Sequence, residues 1–228
     1  MHYCGDFRTS YEKDIEVLQT PTTRIGVAAF LAFLLVWPFL VKGEYLWVTL
    51  QILIAVIGAV GLNILTGFTG QISLGQGAFF GVGAYTTAYL TTKLGLSFWV
   101  GVPAAGVVTA LAGMVFGIPS LRLKGLYLAI ATLASQFILE WVFLRWEPVT
   151  GGSFGIVVPR PAIGGFVFES DRSFYYLVLA ITAAMVLFAV NLVRTKTGRA
   201  FMAVRDHYIS AEIMGIDIFR YRILSFGI

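Results

Sequence analysis

The stretch Glu44–Lys93, EYLWVTLQILIAVIGAVGLNILTGFTGQISLGQGAFFGVGAYTTAYLTTK, has no charged residue between its two ends. A bilayer crossing takes about 20 apolar residues, so the stretch is too long for one span and too apolar for a water-exposed fold. It divides at TGFTGQISLGQG (66–77), which predicts spans of about Tyr45–Leu65 and Ala78–Thr91. The second is short for a complete crossing. It begins inside the membrane if the Gly-rich link dips in.

Working outward, charges bracket the remaining spans. Arg24 and Lys42 flank IGVAAFLAFLLVWPFLV, with Pro38 near the end, where a kink is tolerated. Further spans fall at about Ser97–Pro119, Gly125–Leu144 and Phe174–Val193. A basic stretch, Arg194–Arg222, is followed by ILSFGI, the start of another hydrophobic segment. The expected fold is all-α: a polytopic membrane protein of about six transmembrane helices plus the start of a further one. Residues 1–24 are a polar tail without the apolar core and cleavage site of a secretory signal, and 25–228 form the transmembrane domain.

Composition agrees. Of 228 residues, 58% are hydrophobic and 12% charged, with mean hydropathy +0.84. Soluble domains carry roughly 25% charged residues, so a soluble enzyme is nearly excluded. Cys4 is the single cysteine and His2 and His207 the two histidines, which leaves no internal disulfide and no metal cluster to expect.

Basic residues collect on the cytoplasmic side. A six-span path puts Arg8, Lys13, Arg24, Arg122, Lys124 and the six basic residues of 194–222 on one side, against Lys42, Lys93, Arg145, Arg160 and Arg172 on the other. The N-terminus is therefore expected inside. All five Trp residues (37, 47, 99, 141 and 146) then fall near outer span ends, where amphipathic rings partition.

Polar residues at membrane depth carry the functional signal. Asn63, Gln71, Ser73 and Gln76 concentrate among Gly61, Gly67, Gly70, Gly75 and Gly77. Non-helical backbone survives there only where protein buries it or water reaches it. A broken helix lining a translocation path and an ordinary cytoplasmic loop are equally compatible with the spacing. Gly77 with Gly81, and Gly113 with Gly117, are small-xxx-small pairs that permit close helix approach. Glu140 is an intramembrane carboxylate close enough to a span end to pair with Arg145. The Arg145–Ser173 connection, with TGGSFGIVVPRPAIGG, is rich in turn residues. It is a plain connector or lines the outer mouth.

TGRAFMAVRDHYISAEIMGIDIFRYR (197–222) predicts two short helices. Ala200, Ala203 and Val204 share one helical face, and Ala211–Met214 form a second helix closed by Gly215. The segment is either a solvated basic linker or a helical pair that docks on a soluble partner.

Four blocks carry a resemblance: GLNILTGFTGQISLGQGAFFGVGAY (61–85), LRLKGLYLAIATLA (121–134), TGGSFGI (150–156) and GRAFMAVRDHYISAEIMGIDIFRYRILSF (198–226). In this order they resemble the LivM-type permease subunits of ATP-binding-cassette importers for branched-chain amino acids. The resemblance implies a bacterial inner-membrane permease, not an enzyme, with no cofactor of its own; no GxxxxGK[ST] loop is present, so ATP and Mg would bind partner ATPase subunits. It implies a second homologous permease and an external binding protein as further partners, with no nucleic acid. By the same resemblance, Arg194–Arg222 is the coupling loop, with Gly198, Arg199, Ala200, Ala203, Arg205, Ala211, Glu212, Gly215 and Ile216 at the motif's places. Arg205 and Glu212 would make charge-assisted contacts across the ATPase interface. His207 and Tyr208 depart from the family's Pro-containing turn. Asn63, Gln71, Ser73 and Gln76 would flank the path. Related permeases serve urea, short amides and other amino acids. A secondary transporter or channel, which would rely on Glu140, and a purely structural subunit are the other classes open to this sequence. LivM-type chains continue beyond the coupling loop, so the chain is expected to be cut short in its next helix.

Overall fold

The computed structural model describes residues 21–41, 43–123, 125–163, 166–168 and 170–228. The polar tail through residue 20, Lys42 and Lys124 lie outside the described residues. The long helices are α1 (Pro21–Leu40), α2 (Gly43–Asn63), α3 (Gln76–Thr92), α4 (Phe98–Gly117), α5 (Leu126–Arg145), α6 (Asp171–Arg194), α7 (Lys196–Ile213) and α8 (Ile218–Gly227).

Helix α1 includes residues 21–24, so the last four residues assigned to the tail are helical. Among the described residues, α1, α2 with its extension to Phe68, α4, α5 and α6 are long and apolar enough to cross a membrane. Helix α3 has 17 residues, about 25 Å at 1.5 Å per residue. That falls short of the roughly 30 Å hydrocarbon core. The difference from six full-length spans has a local cause: the Gly-rich segment before α3 is not helical.

Large apolar side chains face outward on these helices. In α1, Phe30, Phe33, Leu35 and Phe39 are exposed, and Pro38 is its one buried residue. A soluble surface does not sustain apolar area of this extent; in lipid it is the required exterior. The chain is a multi-pass membrane protein.

The interior is built by helical periodicity. Leu46, Leu50 and Leu53 of α2 pack on Tyr175, Val178 and Leu179 of α6, spacings that share one helix face. Tyr175 and Tyr176 donate to the Leu34 and Leu35 carbonyls of α1 at 2.9 and 2.8 Å, and Trp37 Nε1 donates to Thr49 Oγ1 at 3.0 Å. These polar contacts fasten α1, which buries little side-chain area.

Three of the four glycines in the small-residue pairs are close helix contacts. A Cβ at Gly113 would lie on the Phe226 carbonyl, and one at Gly117 would come 2.9 Å from the Phe226 side chain. That face of α4 therefore seats α8. A Cβ at Gly81 would come 2.6 Å from Phe143, so α3 approaches α5 there, whereas Gly77 has only an ordinary contact with Gln136.

The connection after α5 contains a one-turn helix, Glu147–Thr150, and a 3-10 turn, Gly152–Phe154. It ends in a hairpin of two-residue strands, β1 (Ala162–Ile163) and β2 (Phe166–Val167), the one departure from an all-α chain among the described residues. Gly151, Gly152 and Gly155 have φ of +72°, +57° and +68°. Thr150 is buried, its hydroxyl 2.6 Å from the Phe143 carbonyl and 2.9 Å from that of Trp146, so this part of the connection is anchored to α5.

Candidate functional site

Helix α2 does not end at Asn63 but widens into a π-turn, Ile64–Phe68. Thr69 N–H donates to the Ile64 carbonyl at 3.2 Å and Gln71 N–H to the Leu65 carbonyl at 3.1 Å. The Thr69 hydroxyl adds a 2.6 Å bond to the same Leu65 carbonyl. The carbonyls freed by the break are thus satisfied locally. Gly70 then reverses the chain with φ +70°, a region that glycine enters without a Cβ clash.

Residues 71–75 alternate in burial. Gln71, Ser73 and Gly75 face inward, while Ile72 and Leu74 are exposed. A soluble half-buried strand shows the opposite pattern; here the apolar side chains face out and the polar ones in. Gln71 Nε2 donates to Ser225 Oγ of α8 at 2.7 Å. Leu74 N–H donates to Thr132 Oγ1 of α5 at 2.9 Å, and a Cβ at Gly75 would meet the Thr132 carbonyl at 2.5 Å. The broken segment is wedged between α5 and α8.

Of the four residues expected to flank a path, Gln71 and Ser73 are buried and Gln76 is half-buried at the start of α3, while Asn63 is exposed. Ser73 Oγ accepts from Gly75 N–H at 3.4 Å. Gln71 Oε1 and Thr66 Oγ1 are buried without a hydrogen-bond partner among the described residues. Each such group carries a penalty of about 1–3 kcal/mol, which marks this break as a polar spot in an apolar protein.

The basic segment lies against this break. Thr195 caps α7, its hydroxyl accepting from Gly198 N–H at 3.4 Å. A Cβ at Gly198 would run into the Val193 carbonyl, so glycine is needed where the chain folds back on α6. Helix α7 is interrupted at His207 (φ −158°, ψ 90°). Two short helices result, as the sequence predicts. His207 Nδ1 accepts from Ser210 N–H at 3.3 Å, serving as cap of the second. That helix ends in a Schellman pair, Ile216 N–H to the Ala211 carbonyl at 3.0 Å and Gly215 N–H to the Glu212 carbonyl at 2.9 Å, with Gly215 at φ +83°. Asp217 caps α8 by accepting from Arg220 N–H at 3.1 Å.

Three of the segment's small residues pack within this chain. Gly198, Ala200 and Ala211 are buried, and Phe201 is buried with Ile64 and Ala189. Arg199 is exposed and donates to the Arg194 carbonyl at 3.2 Å. Ala203 and Ile216 are half-buried; Glu212 and Gly215 are exposed. Arg205 is exposed and lies against the break. Its Nη1 donates to the Gly67 carbonyl at 2.7 Å, its Cγ would come 2.8 Å from a Cβ at Gly70, and its other terminal nitrogen pairs with Asp206 at 2.9 Å.

Ile213 and Met214, which the sequence assigns to the second helix, are 80% and 82% exposed at its tip. Periodicity identifies the helix but not the side that lacks a neighbour. Glu140 is exposed and makes no ion pair with Arg145, whose guanidinium sits 5.7 Å from the Trp141 ring centre.

The model of the branched-chain amino acid transport system permease component family matches residues 45–228. The chain is 34% identical over 92% of its length to proteins described as high-affinity branched-chain amino acid transport system permease protein LivM, from Salmonella typhimurium and from Escherichia coli strain K12. It covers 55% of each, so it spans about half the length of these curated relatives. A probable LivM permease from Methanocaldococcus jannaschii is 31% identical over 54% of this chain and 36% of that protein. No solved structure matches. With broken helix, anchored basic segment and apolar exterior in place, the match over residues 45–228 establishes that the chain belongs to the branched-chain amino acid transport system permease family.

Proposed function

We propose that this chain is the membrane permease subunit of an ATP-driven importer of branched-chain amino acids in a bacterial inner membrane. Its N-terminus is cytoplasmic, and α7 with its following turn docks on a cytosolic ATPase subunit. A second permease chain and an external binding protein complete the assembly, and ATP with Mg is bound by the ATPase. The observation that carries this reading is the pairing of an exposed apolar tip, Ile213 and Met214, with a base that is hydrogen-bonded to the broken helix through Arg205 and Gly67.

The geometry supports a mechanical route. Movement of the tip on an ATPase is transmitted by the short helix to Arg205, and by Arg205 to the π-turn. A π-turn has one residue more per turn than the flanking helix, so it yields by changing register while the α-helical portions stay rigid. Gln71 and Ser73 ride on the segment that would move, and Asn63 and Gln76 bracket it. A transient polar path needs such groups without a tight site, since tight binding slows release.

Cysteine at Met214 tests the docking directly. A cross-link to the ATPase subunit is expected from the assembled importer, and its absence in an assembled, active complex rules out this docking face. Glu212→Arg is expected to uncouple uptake from ATP hydrolysis without affecting membrane insertion. Uptake of urea but not leucine by the reconstituted importer would replace the substrate assignment.

A further inference from the structure

A cavity of about 490 Å3 opens at the end of the bundle remote from α7. It is formed by the first turns of α2, α4 and α6 and by the chain just before β1. Since α6 runs 24 residues from this cavity to the start of α7, the two are separated by about 36 Å, a membrane thickness. Leu50, Ile54, Phe98 and Phe174 supply an apolar wall. Gln51, Arg160 and Asp171 supply the polar groups.

The charges do not satisfy one another closely. Arg160 Nη2 and Asp171 Oδ1 are 3.8 Å apart, with both side chains more than half exposed. That separation exceeds a charge-assisted hydrogen bond of about 2.7–2.9 Å. Opposite charges held apart at one rim of an apolar cavity match the two ends of a zwitterion, with a carboxylate meeting the guanidinium and an ammonium meeting the Asp171 carboxylate. The aliphatic side chain of the same molecule would fill the space over Leu50 and Ile54. Size agrees, since small-molecule sites of about 300–1,000 Å3 are usual.

We propose that this cavity is a low-affinity binding site for zwitterionic α-amino acids with branched aliphatic side chains, a station on the face opposite the ATPase-docking segment. The proposal rests on the amino-acid reading of the preceding subsection and adds the residues that receive the substrate. Arg160 is the carboxylate contact, Asp171 the ammonium contact, and Ile54 part of the side-chain wall. Solvent exposure of both charges keeps the affinity low, as a station that must release its cargo requires.

The test uses the full-length protein in lipid nanodiscs and saturation-transfer NMR with L-leucine as probe. Isocaproate, which lacks the ammonium, and isoamylamine, which lacks the carboxylate, are the comparison probes. Leucine methyl signals are expected from the unaltered protein, about two- to fivefold weaker for either comparison probe and in Arg160→Gln and Asp171→Asn, the ratio set by losing one solvent-exposed charged contact. Ile54→Trp, which fills the cavity and leaves both charges, is expected to remove the signal as well. Equal signals from the three probes, or leucine signals unchanged in both charge variants, would overturn the proposal and reduce the pair to a strap between the loop and α6. Leucine uptake by the assembled importer is measured separately. Charge-dependent binding without uptake defeats the transport reading alone, and uptake without charge-dependent binding defeats the cavity alone.

Discussion

Arg205 Nη1 donates to the carbonyl of Gly67 at 2.7 Å across 138 positions of sequence. One hydrogen bond thus joins the two most distinctive blocks of the chain, the Gly-rich break after α2 and the basic segment after α6. Gly70, at φ +70°, leaves room for the Arg205 stem, since a Cβ there would come 2.8 Å from Cγ.

Arg205→Ala removes a charged donor and is expected to lower uptake by about tenfold or more, consistent with 1.5–3 kcal/mol for a hydrogen bond to a charged group. ATP hydrolysis by the assembled complex is expected to continue. Arg205→Lys keeps the charge but not the reach and planar geometry, and should recover uptake in part. Uptake and hydrolysis measured side by side in proteoliposomes check this, and parallel loss of both would show that the contact is needed for assembly.

Gly113→Ala places a methyl group against the Phe226 carbonyl and is expected to destabilise the α4–α8 contact by about 1–3 kcal/mol, as overpacking does. Gly106→Ala in the same helix meets nothing within 4 Å and should be neutral or stabilising by up to about 1 kcal/mol through helix propensity. Melting temperatures of the two variants in one detergent decide the matter.

Ile213→Asp with Met214→Asp alters side chains that are 80% and 82% exposed. Permease stability is expected to change by less than about 0.5 kcal/mol per site, while association with the ATPase subunit is lost. Co-purification and thermal melting together separate a docking defect from a folding defect.

His207→Ala removes the acceptor for Ser210 N–H and should destabilise the second helix of α7 by about 1 kcal/mol, as loss of a cap does. His207→Ser or His207→Asp should retain it. Hydrogen exchange at residues 210–215 gives the readout: protection is expected to fall in the first variant and persist in the others.

Much of this architecture was legible from composition and spacing. The uncharged run from Glu44 to Lys93 required two membrane segments, and the short second one, α3, begins after a non-helical stretch as its length implied. Gly215 closes its helix because a positive φ is needed there. The side on which each residue sits was not legible. Ala200 and Ala211 are small and buried against their own chain, while Ile213 and Met214 are apolar and exposed. Periodicity finds the helix but does not say which neighbour covers its apolar residues, and Ile213 and Met214 lie where the described residues supply no cover.

Membrane class, helix number to within one, the break at 66–77 and the helical pair after Arg194 are consequences of local chemistry: apolar length, glycine dihedrals and capping. Where Arg205 and Gln71 reach, which glycines receive Phe226, and how Arg160 comes to stand beside Asp171 at a cavity depend on contacts between segments distant in sequence. Local composition cannot encode such pairings, because many partners satisfy one donor or fill one glycine groove. Packing of all the helices at once selects among them.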